Sequence, residues 1–387
     1  MKRLFYLGLF GLMVFEILNV YFIMPFPGSQ RINSLNAAYF LYSYRWWFRI
    51  FFALLIAVGF MKAFSIRHKW IPGVLLLVSG FVVYVFNFVM TAEKIFRQPE
   101  HIVMKGMAEN TVKRNSLVLG IERDGAARAY PIQFLIYHHQ VQDTLGGKPV
   151  IATYCSVCRT GRAFEPVVNG QPEKFRLVGM DHFNAMFEDF ATGSWWRQVN
   201  GECIAGELKG TRLPELEISQ VTLEKWIEMH PHTTIMQPDQ ASLQEYDPSA
   251  RFEQGKSEGS LTRTDSLSWK EKSWVLGIEI AGVSKAYDWN LLKGERIIHD
   301  GVGGIPIVLL LSGDGKSFAA FQRNDLRDNF TLKSDTIVAY GRPYDFSGRS
   351  LEDDSTRLKH VNVSQEFWHS WQTFHPATER YSPPGEG

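Results

Sequence analysis

The chain has little with which to cross-link itself: three cysteines in 387 residues, Cys155, Cys158 and Cys203. That is too few for a disulfide scaffold, and the odd number keeps at least one of them out of any intrachain bridge. Charge of one sign is also missing. With 41 Lys and Arg against 40 Asp and Glu, the formal charge is +1, which removes the global electrostatic case for nucleic-acid binding. There is no G-x-S-x-G elbow and no H-E-x-x-H, and Gly146-Gly-Lys148-Pro149 lacks both the Walker spacing and the following Ser or Thr of a phosphate loop. What is present is 45% hydrophobic residues, enough over this length for two or three cores, and 14% aromatics, many of them in the first hundred residues.

That aromatic region reads as a membrane anchor over residues 1–95. Leu4 to Met24 is almost wholly apolar, follows Lys2 and Arg3, is interrupted by Glu16 and Asn19, and ends at Pro25-Phe-Pro27. It is long enough to span a bilayer, and it lacks the short apolar region and small-residue cleavage site of a removed signal peptide. Ile50 to Phe64 and Ile71 to Met90 give a second and a third span, the second short and flanked by Trp46 and Trp47. Three spans put the two ends of the chain on opposite sides. Lys2, Arg3, Lys62, Arg67 and Lys69 then outweigh Arg31, Arg45 and Arg49, so the N-terminus lies in the cytoplasm and everything after residue 90 outside. The expectation is a protein of the cytoplasmic (inner) membrane, with the lipid bilayer as its first partner and its soluble domains on the extracytoplasmic side. Glu16 and Asn19 read as satisfied within the helix bundle, although the other spans offer no obvious acidic or basic partner.

The rest of the chain repeats itself. Val118-Leu-Gly-Ile-Glu122, Gly125, Ala129 and Tyr130 recur 157 residues later as Val275-Leu-Gly-Ile-Glu279, Gly282, Ala286 and Tyr287, and the register continues through Asp143, Gly146, Gly147 and Pro149. Thr211-Arg-Leu213, Trp226, His230-Pro231 and Thr233 recur 145 residues later as Thr356-Arg-Leu358, Trp371, His375-Pro376 and Thr378. The organisation is a first repeat over 110–236, a polar linker over 237–261 and a degenerate second repeat over 262–382. In each repeat an Asp-Gly or Ala-Gly turn joins two alternating strands, a Gly-Gly turn precedes a continuous apolar strand, and a short helix is stopped by His-Pro. The fold class is α+β, dominated by β.

The buried strand of the first repeat runs into Tyr154-Cys155-Ser-Val-Cys158-Arg159-Thr-Gly161-Arg162. Two thiols three residues apart can chelate one soft metal ion or close a small disulfide. The second repeat has Ser312 and Gly315 at these positions, so the fold does not need the pair. A closed zinc site needs four ligands and finds only one CxxC, which leaves histidines such as His138, His139 or His182 to complete it. Copper(I) accepts fewer soft ligands and could recruit Met180 or Met186. Copper or zinc is the cofactor this reading implies, with His138 the first additional ligand. Gly161 and a following strand remove the helix N-terminus that a thioredoxin-like thiol uses, while Arg159 and Arg162 could lower a thiol pKa in its place. Cys203 reads as a buried hydrophobe. Farther on, Trp195 and Trp196 either wall a pocket beside the cysteines, with Asn184 and Asp189 as its polar groups, or cap a hairpin core.

Asp143-Thr-Leu-Gly-Gly-Lys-Pro-Val150, Thr153-Tyr-Cys-Ser-Val-Cys-Arg-Thr-Gly-Arg-Ala-Phe164 and Thr192-Gly-Ser-Trp-Trp196 resemble the DUF-3179 family of prokaryotic domains of unknown function, from about residue 110 to about residue 382. Ser156 and Val157 stand where the family pattern has Pro-Leu, and Cys203 where it more often has a small apolar residue. The resemblance carries over His138, Asp143, Asn184 and Gly193 by position and implies no activity. The site so read comprises Cys155, Cys158 and His138 as metal ligands, with Asp143, Arg159, Asn184, Trp195 and Trp196 around a bound group. Three functions follow: soft-metal handling or electron transfer, a thiol–disulfide oxidoreductase in which Cys155 attacks and Cys158 resolves, or a ligand-binding or assembly module using the Trp195/Trp196 face.

Overall fold

The computed structural model describes residues 1–65, 68–353 and 355–383; Arg67, counted above among the basic residues of the second loop, lies outside them. The fold is α+β, with helices at the N-terminus and several small sheets after them. It divides into two compact units, one of residues 1–97, 173–197 and 202–212, the other of residues 98–172, 198–201 and 213–387.

In the first unit, three helices are long and apolar enough to cross a membrane: Lys2–Tyr21, Arg45–Ala63 and Trp70–Val89. Leu7, Phe10, Phe51, Leu54, Leu77 and Phe81 point outward and are exposed, as a lipid-facing surface requires. Gly59 lets the first two helices approach, since a Cβ there would lie 2.4 Å from the Phe5 nitrogen. The second helix begins at Arg45, ahead of the apolar run, and so takes in Arg49. The Arg49 guanidinium forks onto Glu16 at 2.7 and 3.0 Å, and the Asn87 amide donates to Glu16 at 2.9 Å. Glu16 therefore does have a basic partner in another span, contrary to the sequence reading. Pairing is what makes a carboxylate tolerable among packed apolar helices. A short helix, Leu35–Ser43, had no signal in the apolar runs.

The same unit contains an antiparallel sheet in the order Cys203–Ala205, Trp195–Arg197, Asn184–Asp189, Phe175–Asp181. It is tied to the segments that follow the first helix. Met180 N donates to the Ile23 carbonyl at 2.7 Å, the Tyr39 hydroxyl donates to the Gly193 carbonyl at 3.2 Å, and Arg176 bonds Tyr42.

The second unit holds two sets of strands with the same order. Leu117–Arg123 and Ala126–Pro131 form a hairpin flanked by Ser219–Thr222 and, in parallel, Thr234–Met236. Trp274–Ile280 and Val283–Asp288 form a second hairpin, flanked in the same order by Ser364–Phe367 and, in parallel, Glu379–Arg380. The apolar strands are central in their sheets: Lys148–Cys155 lies between Gln140–Leu145 and Thr160–Phe164, and Ile305–Leu311 between Ile297–Val302 and Phe318–Gln322. Gly120 and Gly277 serve as seats for Trp226 and Trp371, where a Cβ would fall 2.2 and 2.1 Å from the indoles. Each indole donates to a threonine at 2.8 Å, Thr233 and Thr378. The helices Leu223–Met229 and Trp368–Phe374 both end at the histidine of a His-Pro pair. One hydrophobic core joins the two sets, with Val118, Val221 and Trp226 packed with Val308, Ala319 and Phe321. The polar stretch 237–261 holds a helix, Leu243–Glu253, whose Tyr246 and Phe252 are buried in the core beside Tyr154.

Candidate active site

The CxxC motif forms a tight connection between Lys148–Cys155 and Thr160–Phe164, closed by the pairing of Cys155 with Thr160 and by a left-handed Arg159 (φ 59°). No helix follows, as the sequence indicates. Cys155 and Cys158 are fully buried, and neither is in a disulfide.

Residues more than a hundred positions away cover this turn. Phe367 N donates to the Cys158 carbonyl at 2.8 Å. The Lys272 ammonium donates to the Val157 carbonyl at 2.9 Å and to the Leu261 carbonyl at 2.7 Å, and it lies 3.0 Å from Nε2 of His369. That same Nε2 is 3.1 Å from the Val157 carbonyl. Burial pushes the Lys272 ammonium below its ordinary range, while Cys158 and Cys155 are the two largest influences raising it. Burial and the neighbouring ammonium push His369 down to about 4, so the imidazole is neutral at physiological pH.

A second set of charged side chains gathers around Arg159 and Arg162. Arg159 stacks 3.5 Å above the Trp274 ring and donates to Gln365 Oε1 at 3.0 Å and to the Phe252 carbonyl at 3.2 Å. Burial pushes the Glu253 carboxyl up to about 7, and its Oε1, like the Tyr154 hydroxyl, is buried with no hydrogen-bond partner among the described residues. Arg162 donates to the Val199 carbonyl at 2.8 Å and to Glu366 at 3.0 Å, and Ser370 also donates to Glu366, at 2.9 Å.

The other residues singled out from the sequence fall elsewhere. His138 Nε2 lies 2.7 Å from the Tyr246 hydroxyl, and His139 Nδ1 lies 2.9 Å from the Tyr154 carbonyl. Asp143 accepts from the Tyr130 hydroxyl at 2.8 Å and pairs with Arg128, an arrangement matched by Tyr287, Lys285 and Asp300. Asn184, Trp195 and Trp196 belong to the sheet of the first unit and are buried there. Trp195 donates to Glu188 at 3.0 Å and Trp196 to Asp189 at 2.8 Å. His182 lies 2.7 Å from Asp181 and 3.0 Å from Asn33 in that unit, which also holds Met180 and Met186. Cys203 is buried too, and burial pushes its thiol up to about 11. Among the described residues, no three His, Cys, Asp or Glu side chains gather closely enough to hold a metal ion.

Sequence reasoning missed Lys272, His369, Glu253 and Glu366. A signal was available for two of them. At the sequence offsets of 157 and 145, Lys272 stands opposite Asn115 and His369 opposite Glu224, so the aligned positions differ in chemistry at the two contacts with the CxxC turn.

The paired thiols lie within a family match that covers residues 98–378, more than half of the chain. The chain belongs to the DUF3179 family of proteins of unknown function. No curated protein and no solved structure matches it.

Proposed function

We propose that this DUF3179 protein is a membrane-anchored thiol–disulfide oxidoreductase, with Cys155 and Cys158 as its redox pair on the extracytoplasmic side. The observation that carries the reading is the Lys272 ammonium, held against the CxxC turn with both sulfurs in its electrostatic reach. A cation there favours the thiolates, the forms that attack a disulfide. Cys155 attacks one sulfur of an incoming disulfide, whose S–S bond breaks and whose other sulfur leaves as thiolate. Cys158 then attacks the Cys155 sulfur of the mixed disulfide and releases the second thiolate. The chain loses two electrons and two thiol protons, and the substrate becomes two thiols. Both cysteines are buried, so the reaction requires the cover of the turn to open far enough to admit a disulfide.

The soluble part is read as a duplicated unit, anchored by residues 1–95. Gln220 donates to Gln365 at 3.1 Å, so two residues 145 positions apart meet each other as equivalents would on a pseudo-twofold axis. Trp195 and Trp196 are buried with their indole N–H groups bonded, which favours the thiols over an aromatic docking face.

The test uses the full chain in lipid nanodiscs, purified without chelator and equilibrated in thiol buffers of graded potential, with trapping of thiols and elemental analysis. The expected result is a reversible disulfide between Cys155 and Cys158 that disappears in Cys155→Ser and in Cys158→Ser. Thiols that stay reduced at every potential, with one equivalent of copper or zinc lost in Cys155→Ser, would replace this reading with the soft-metal one.

A further inference from the structure

The second unit has a cavity of about 410 Å³ outside the thiol site, within the range of small-molecule pockets. Its floor includes Val221, Trp226, Ala319 and Phe346, and its rim Arg357 and His230. The sheet registers show why the space exists. Ala319 faces Leu310 as Arg162 faces Thr153, and Val221 faces Val118 as Glu366 faces Val275. The equivalent position in the other half is therefore filled by the buried Arg162–Glu366 ion pair, at 3.0 Å. Here alanine and valine stand in its place, and a cavity with an apolar floor remains.

The carboxylates around the cavity already have partners. Glu122 accepts from Arg349 at 2.9 Å, Glu217 pairs with His360 at 2.9 Å and Asp124 with Lys148 at 3.0 Å. Arg357 is different: among the described residues its nearest carboxylate is Glu122, at 3.8 Å, and its guanidinium makes no hydrogen bond to any of them. His230 is stacked on Trp226 with ring centroids 4.0 Å apart, and its ring nitrogens make no hydrogen bond among the described residues. In the other half the matching His375 closes onto Glu279 at 3.2 Å. The donors left over at the rim are thus a cation and an imidazole above an apolar, aromatic floor.

We infer that this cavity binds a small organic carboxylate, its anionic group on Arg357 and its apolar or aromatic body between Trp226 and Phe346. A guanidinium that makes no hydrogen bond among the described residues matches a carboxylate's two oxygens, and the floor supplies the burial of the body. The inference does not depend on the redox reading.

The experiment measures binding of 1-naphthoate and its neutral isostere 1-naphthamide to the full chain in nanodiscs by calorimetry, with empty nanodiscs as the blank. Naphthoate is expected to bind with a stoichiometry of one, and naphthamide about tenfold more weakly or worse. Arg357→Gln, at a half-exposed side chain, is expected to erase that preference. The double variant Val221→Glu with Ala319→Arg installs the ion pair that the other half already carries and is expected to abolish binding of both compounds. Equal affinity for the two compounds, full binding by the refilled variant, or no binding of naphthoate at millimolar concentration would overturn the inference.

Discussion

Glu366→Ala is expected to lower the unfolding free energy of the second unit by about 3 kcal/mol, the cost of leaving one partner of a buried ion pair behind. Glu366 is fully buried and accepts from Arg162, Ser364 and Ser370, so truncation leaves the Arg162 guanidinium in the core with the Val199 carbonyl at 2.8 Å and Glu215 at 3.5 Å. Replacing both partners at once gives the opposite expectation. Glu366→Val with Arg162→Ala reproduces the Val221 and Ala319 of the other half and should recover most of the loss, because an absent pair carries no desolvation cost. Urea unfolding of the two variants in nanodiscs, followed by tryptophan fluorescence, checks both. A double variant as unstable as the single one would show that the pair is itself the source of stability.

Glu253→Gln is expected to stabilise the protein by about 3 kcal/mol above pH 8 and to do nothing near pH 4. Burial raises the Glu253 carboxyl from 4.5 in the unfolded chain to about 7 in the fold. The folded state therefore holds the proton more tightly, so this group's contribution to stability is fully present below pH 4.5 and is lost as pH rises through 7. A neutral amide removes the penalty of the charged form. His139 and His369 act in the other direction. Burial takes both down to about 4, so the unfolded chain takes up their protons first, and stability falls as pH drops from 6.5 towards 4. Wild type is thus expected to have its stability maximum near neutrality, and Glu253→Gln to shift it to higher pH. Unfolding midpoints from pH 4.5 to 9 decide this, and a constant difference between the variants across that range would contradict it.

The sequence made the local part of this architecture legible. Alternation broken by Asp124-Gly125 marked a hairpin, a continuous apolar run after Gly146-Gly147 marked a central strand, and His-Pro marked both helix ends, because each signal sits within a few residues of what it specifies. The start of the second long apolar helix was hidden because Arg45 and Arg49 interrupt the hydropathy, and the pairing of Arg49 with Glu16 joins residues 33 positions apart. The CxxC motif was visible for the same local reason, whereas its surroundings were not. Lys272 is 115 residues from the Val157 it bonds, and His369 is 212 residues away. Neither has a periodic pattern or a motif, and both reach the turn only through long-range packing. Aligning the two similar sequence stretches position by position comes closest, since Asn115 and Glu224 give way to Lys272 and His369 at those contacts.

The most direct test of the account is the reduction potential of the Cys155–Cys158 pair in the full chain, measured for wild type and for Lys272→Met in the same nanodiscs. An ammonium that stabilises the thiolates of the reduced form raises the potential, so its removal is predicted to make the potential more negative by about 30 mV, a tenfold change in the equilibrium. An unchanged potential in Lys272→Met, or no disulfide at any poise in wild type, would contradict the claim that the buried lysine and the two thiols form one redox site.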